Sequence, residues 1–151
     1  IRDRLYIMEV LIVVFILLFL VGAFSFLKPT KKMKALSGIR LEAQKEGFKI
    51  GSTPQLRKKF KNWTPQVAIY QLRNNSTYKN LHYIKHENGL HLYDPIAFKY
   101  DKKFTEIEKK ISNLPESILE IIFYQSNIAI VWDEMFGIDE LIKIKEAILK
   151  I

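Results

Sequence analysis

The chain has 151 residues, enough for one hydrophobic helix and one small folded domain. It contains no cysteine, which excludes disulfides, zinc–thiolate sites and iron–sulfur clusters. The formal net charge is +8. Residues 28–61 hold eleven Lys and Arg against two Glu, whereas residues 62–151 hold eleven basic against twelve acidic residues. The basic excess therefore belongs to one early segment and not to the whole chain.

The first predicted element is a hydrophobic helix from Val10 to Leu27, which contains no charged residue. At 1.5 Å rise per residue it spans roughly 27 Å, close to the hydrocarbon thickness of a bilayer. A signal peptide has a shorter apolar region of about 7–15 residues followed by a small-residue cleavage site. We therefore expect residues 1–28 to be a retained transmembrane anchor with a short N-terminal tail.

The charges on either side of the anchor predict its orientation. Five basic residues follow it with no acidic residue before Glu42; they are Lys28, Lys31, Lys32, Lys34 and Arg40. On the N-terminal side, two arginines are offset by Asp3, and the asymmetry becomes stronger if translation starts at Met8. Short cationic flanks tend to stay in the cytoplasm. We expect a single-pass protein whose C-terminal domain is cytoplasmic.

Residues 29–66 are predicted to form a basic juxtamembrane helix and a loop. Apolar residues recur at helical spacing between Lys31 and Glu46, and Gly47 is a suitable residue to end that helix. Phe48 to Ile50 is predicted to be a short strand. The stretch from Gly51 to Pro65 is polar, basic and contains prolines, so we expect a loop.

Within that loop, cationic and aromatic side chains alternate between Arg57 and Trp63. The first interpretation is a solvated loop or one that faces anionic lipid headgroups, with its aromatic rings at the membrane interface. A docking surface for another protein ranks second, and RNA, bound through phosphates and stacked bases, ranks last. Together with the four flanking lysines, the run is the predicted contact site for anionic lipid or a partner: Arg57, Lys58, Lys59, Phe60, Lys61 and Trp63.

Residues 67–151 are predicted to complete an α+β domain. Strands are expected at Val67 to Leu72, at two runs flanking Asn88-Gly89, and at two runs between residues 118 and 132. Amphipathic helices are expected from Lys102 to Leu114 and from Ile138 to Leu149. These hairpin connections favour an antiparallel or mixed sheet of about five or six strands, with two or three helices on one face.

All three histidines fall in the predicted central hairpin, and three imidazoles are a common metal-binding set. His82 and His86 would share one face of a strand, and a two-residue turn at Asn88-Gly89 would place His86 opposite His91. Exposed surface histidines are the plainer interpretation. We therefore predict no metal and no cofactor.

Two further sequence features bear on catalysis. Trp132-Asp133-Glu134 ends the last predicted strand, where adjacent acids point to opposite faces; we expect Trp132 in the core and an acid capping a turn. A nucleophile elbow and a glycine-rich phosphate loop are both missing from the sequence. No catalytic residue and no small-molecule substrate are predicted.

Three short runs resemble those of small bacterial inner-membrane proteins with one span and a compact cytoplasmic domain. They are Leu27-Lys28-Pro29-Thr30-Lys31-Lys32, Leu114-Pro115-Glu116, and Ala129 to Glu134. Some of these are described as similar to the YajC accessory subunit of the preprotein translocase. The resemblance implies an inner-membrane location and no enzymatic activity, and it assigns no functional residue.

Two functions follow as expectations. The first is a non-enzymatic accessory or structural subunit of a larger bacterial inner-membrane protein complex. The alternative is a membrane-tethered module that binds an anionic ligand, either a lipid headgroup or a nucleic acid, through its basic juxtamembrane region. In both, the membrane bilayer is a partner.

Overall fold

A computed structural model describes residues 2–51 and 53–151, and the chain divides into two compact units between Ala35 and Leu36. The first unit contains α1 (Arg2–Phe26). Its stretch Arg4–Phe26 reaches a mean hydropathy of 3.0, and none of that apolar window is buried within the protein. By length and composition, this helix can cross a membrane.

The second unit is built on one six-stranded sheet in which every pair of neighbouring strands is antiparallel, in the order β1-β2-β6-β5-β3-β4. The strands are β1 (Lys49–Ile50), β2 (Tyr70–Arg73), β3 (Leu81–His86), β4 (Gly89–Asp94), β5 (Ile118–Phe123) and β6 (Asn127–Trp132). The α+β class is thereby confirmed, and the sheet is antiparallel rather than mixed. β5 and β6 lie at its centre because both are rich in β-branched and aromatic residues, which pack well on two faces.

The remaining helices are α2 (Lys31–Lys45), α3 (Pro54–Lys59), α4 (Phe104–Ile111) and α5 (Ile138–Leu149). Short 3₁₀ turns at Ile96–Tyr100 and Glu134–Phe136 connect strands to helices. One face of the sheet packs against buried residues of α2, α4 and α5, including Ala43, Ile107 and Ile144. These three helices cover the main core.

The opposite face of the sheet has its own smaller core, in which Ile122, Ala129 and Val131 pack with Phe60 and Ile69. The segment that contains α3 covers this face. We had expected helices on one face only and a loop from residue 51 to residue 65. A helix forms there because the Thr53 hydroxyl accepts a hydrogen bond from the N–H of Leu56 at 3.2 Å and Pro54 suits the first helical turn.

Candidate functional site

A buried carboxylate holds the basic segment, here residues 53–63, against the sheet. Glu120 on β5 has no exposed surface. The backbone N–H of Lys61 donates to both of its oxygens at 2.9 and 3.0 Å, and the N–H of Asn62 donates to Oε2 at 2.7 Å. Nε2 of His82 lies 2.5 Å from Oε1. These contacts offset the desolvation of Glu120 and fix the position of the lysine-rich segment.

The aromatic residues of the segment are placed differently from the prediction. Phe60 is 5% exposed and belongs to the second core, with Trp63 packed against the same cluster. The Phe60 ring is therefore not free to lie among lipid headgroups in this arrangement, and the Trp63 ring is half-buried. Burial of a phenyl ring against the apolar sheet face is favourable by about 2 kcal/mol, which explains why Phe60 turns inward. The Arg57 guanidinium lies 5.1 Å from the centre of the Trp63 ring, which it covers.

The three lysines of the segment remain at the surface, as predicted, but two of them are held over aromatic rings. Lys59 Nζ lies 5.0 Å from the centre of the Tyr124 ring, and Lys61 Nζ lies 5.8 Å from that of Tyr93. Lys58 is exposed beside them. Cation–π contacts orient these ammonium groups while leaving them accessible to an anion.

These lysines line a groove of about 310 Å³ between the basic segment and strands β3 to β5, which we call the basic groove. Its other polar side chains come from the sheet: His82, Tyr93, Asp94 and Tyr124, with Asn80 just before β3. Three lysines therefore face one aspartate, and the groove is cationic. The lysines were predicted from the sequence, but the sheet residues were not, because strand pairing brings residues 80–124 together beside residues 58–61.

The four flanking lysines, Lys28, Lys31, Lys32 and Lys34, belong to the first unit and are exposed. The basic groove belongs to the second unit. The ten-residue contact site predicted from the sequence is therefore divided between two units.

The three histidines do not form one cluster. His82 pairs with Glu120, and its ring centre is 5.0 Å from that of Tyr93. The rings of His86 and His91 are 6.0 Å apart, but His86 pairs with Gly89 and His91 pairs with Ile84. The expected register was wrong because Gly89, with φ +120°, begins β4 instead of forming the turn. Within residues 2–51 and 53–151, no group of three or more His, Asp or Glu side chains is placed to hold a metal ion.

A second buried carboxylate, Glu134, connects α2 to the end of β6. Arg40 donates to its two oxygens from Nε at 2.8 Å and from a terminal nitrogen at 2.9 Å. The Tyr70 hydroxyl donates to Oε1 at 2.6 Å. Hydrogen bonding to Glu134 raises the pKa of Arg40. Burial, followed by the hydrogen bond from its own hydroxyl to Glu134, raises the pKa of Tyr70. We call this set the Arg40–Glu134 clamp. The sequence pointed to Glu134 as a residue that could cap a turn, but not to its pairing with Arg40.

The end of β6 follows the prediction in two respects. Trp132 is buried, and the Asp133 carboxylate accepts a hydrogen bond from the N–H of Met135 at 3.0 Å, which caps the following turn.

A cavity of about 570 Å³ lies between α4 and the β3–β4 hairpin. Its lining mixes the charged residues Lys85 and Glu108 with the apolar side chains of Leu90 and Ile111. Burial raises the pKa of Glu108 above the ordinary carboxyl value, while the nearby His91 and Lys99 act in the opposite direction. The sequence did not predict this cavity, since it depends on how α4 packs beside the hairpin.

Comparisons with family models, with curated proteins and with solved structures find no match to this chain.

Proposed function

We propose that this protein is a non-enzymatic accessory subunit of a larger bacterial inner-membrane protein complex, anchored by α1 with its folded domain in the cytoplasm. Among the described residues, none of the apolar window of α1 is buried, so we expect lipid or another membrane subunit to cover it. The basic flank after α1 supports the cytoplasmic orientation.

The observation that best supports a structural role is how the domain uses its buried polar groups. Apart from four buried aromatic N–H or O–H groups that lack a partner in the described part of the chain, on Trp63, Tyr83, Tyr124 and Trp132, five buried polar or charged residues are described in the folded unit. All five are hydrogen-bonded: Asn74, His82, Ser117, Glu120 and Glu134. Each bond joins segments that are distant in sequence or orders a turn. Buried polar groups committed to such contacts favour a rigid scaffold.

The exposed side chains Met135 and Phe136 support contact with another protein. They are 72% and 60% exposed and follow Glu134 directly, beside the Arg40–Glu134 clamp. Adjacent exposed apolar side chains of this size are typical of interaction surfaces. We propose that they contact a neighbouring subunit.

The test is mild detergent extraction of the tagged full-length chain from its native membranes, followed by mass spectrometry of the co-purified proteins. Stoichiometric membrane subunits are expected with the native chain. The double variant Met135→Ser, Phe136→Ser is expected to lose them. The control Ile96→Ser, Tyr100→Ser alters two other exposed residues, which are 64% and 90% exposed, and is expected to retain them. Recovery of the native chain alone would overturn the proposal.

The orientation has its own test, since a chain without native cysteine accepts single reporter cysteines. Tyr100→Cys, at a position that is 90% exposed, is expected to resist a membrane-impermeant maleimide in cells with an intact inner membrane and to react after lysis. Arg4→Cys is the opposite control. Labelling of Tyr100→Cys from outside would reverse the orientation, and a mature chain lacking α1 would show a cleaved signal sequence.

A second proposed function is the binding of an anionic ligand through the basic region. The observation that favours it is the convergence of Lys58, Lys59 and Lys61 on one groove. It predicts that binding weakens as salt increases, because exposed charges are screened.

A further inference from the structure

We propose that the basic groove is a binding site for a phosphate group carried by a small molecule or by a lipid headgroup, with Lys58, Lys59 and Lys61 as its cationic residues. This inference rests on the second proposed function and assigns it a site and a ligand class. The site is formed by the second unit alone and does not use the lysines that flank α1.

The three lysines of the groove have no carboxylate partner among the described residues. Within the described part of the chain, none of the three lysines forms a salt bridge, although six other ion pairs are present. Two of the ammonium groups lie over tyrosine rings instead of beside carboxylates. Asp94 is the one acidic residue that lines the groove, so a net cationic surface remains for an anion.

The second argument is that the groove is held in place before any ligand arrives. Glu120 binds the backbone N–H groups of Lys61 and Asn62, so the positions of the lysines do not depend on their own side chains. His82, which contacts the same carboxylate, lines the groove from the sheet side. A preorganised site loses less conformational entropy on binding than a mobile lysine-rich loop.

The third argument is an unused hydrogen-bond donor. Tyr124 lines the groove, and its buried hydroxyl has no partner among the described residues. A phenol is already protonated at neutral pH, and burial, followed by the charge of Glu120, raises the pKa of Tyr124 further, so this hydroxyl can donate. Phosphate oxygens accept hydrogen bonds strongly.

Backbone conformation and size agree with this assignment. Asn80, at the groove edge, adopts φ +58°, a left-handed conformation that costs about 1 kcal/mol and is often found at binding sites. About 310 Å³ is at the lower end of the range for ligand sites. A phosphate with a short organic substituent fits this volume.

The test uses the full chain in nanodiscs of neutral phosphatidylcholine, with inorganic phosphate and glycerol 3-phosphate as soluble probes followed by ³¹P NMR. The groove variant is Lys58→Gln, Lys59→Gln, Lys61→Gln, which keeps every backbone N–H bound by Glu120. The matched control is Lys31→Gln, Lys32→Gln, Lys34→Gln, which removes equal charge outside the groove. Unchanged thermal unfolding verifies that the groove variant is folded.

We expect saturable binding that weakens at least tenfold in the groove variant and by less than threefold in the control, with Tyr124→Phe giving a smaller loss. If the control variant alone loses binding, the groove assignment is overturned while anion binding stands. If the native chain binds neither soluble probe nor lipid, both are overturned.

Two additional experiments test the source of the phosphate and the class of ligand. Phosphatidic acid in the same nanodisc is expected to compete with the soluble probe if the groove reaches a lipid headgroup, and to leave its affinity unchanged if the ligand is soluble. Both results support a phosphate site and differ only in its source. An octanucleotide that binds the groove more tightly than either small phosphate would overturn the ligand class.

Discussion

Arg40 and Glu134 lie 94 positions apart and meet through two hydrogen bonds of 2.8 and 2.9 Å. Arg40 is on α2, the helix that follows the hydrophobic helix α1, and Glu134 follows the last strand of the sheet. The contact therefore makes part of α2 an integral element of the folded domain. Arg40 also donates to the carbonyl of Gln66 at 3.1 Å, so the clamp includes the chain that leads into β2.

Breaking the clamp is expected to destabilise the domain. Glu134 is 7% exposed, so Arg40→Met would leave a buried carboxylate with only Tyr70 as its partner. We expect a loss of roughly 2 kcal/mol in the free energy of unfolding, less than for a fully buried pair because Arg40 is partly exposed. Urea denaturation measures it. In the double variant Arg40→Met, Glu134→Met, part of the loss should be recovered; a double variant as unstable as the sum of both single ones would contradict this account.

Substitution of Glu120 is expected to release the basic segment from the sheet. Glu120→Gln replaces one acceptor oxygen with a donor facing the N–H groups of Lys61 and Asn62. We expect a loss of about 2–3 kcal/mol in unfolding free energy. Trypsin should also cleave after Lys58, Lys59 or Lys61 before it cuts elsewhere. Glu116→Gln, at an exposed position four residues earlier, is the control and should change neither measurement.

Phe60 is expected to act as a core residue and not as a membrane contact. Because it is buried with Ile122 and Val131, Phe60→Ala should cost about 3–4 kcal/mol in unfolding free energy. Phe60→Leu retains most of the apolar volume and should cost about 1 kcal/mol. Folded Phe60→Leu protein should bind anionic vesicles as the native chain does. Weaker vesicle binding by this variant, with stability intact, would restore the headgroup role predicted from the sequence.

Glu108 is expected to reduce stability at neutral pH. Burial raises its pKa in the folded state, so folding favours its protonated form. The protonated Glu108 carboxyl therefore does not reduce stability below its unfolded-state pKa. As pH rises through its folded-state pKa, the carboxyl ionises in the folded state and stability falls. Glu108→Gln should raise the melting temperature at pH 7.5 and have no effect near pH 3.5.

Glu106 is the matched control on the same helix. Hydrogen bonding to Lys110, followed by that to Tyr78, lowers its pKa, so ionisation of Glu106 favours the folded state. Glu106→Gln should leave the melting temperature at pH 7.5 unchanged or slightly lower. Equal increases in both variants would show that the general charge of α4, not burial of Glu108, is responsible.

Much of the architecture was predictable because it depends on local pattern. The charge-free run from Val10 to Leu27 predicted a spanning helix, since hydrophobic length is sufficient for that prediction. Alternation and turn residues predicted the strands that became β3 to β6, and helical periodicity predicted α4 and α5. The register of the β3–β4 hairpin was wrong, because the sequence Asn88-Gly89 does not say whether the glycine belongs to the turn or to the strand.

The sequence by itself determined an apolar helix long enough to span a membrane, the confinement of the net basic excess to residues 28–61 and an α+β domain. Each follows from composition and short-range periodicity, which are read along the chain. Only the tertiary structure decided that Phe60 is buried and that Arg40 meets Glu134. It also decided that Glu120 holds the backbone of Lys61 and Asn62, which lie 59 and 58 positions earlier in the chain. Those outcomes depend on which distant surfaces pack together, because a buried charge is stable only where its partners arrive from elsewhere in the fold.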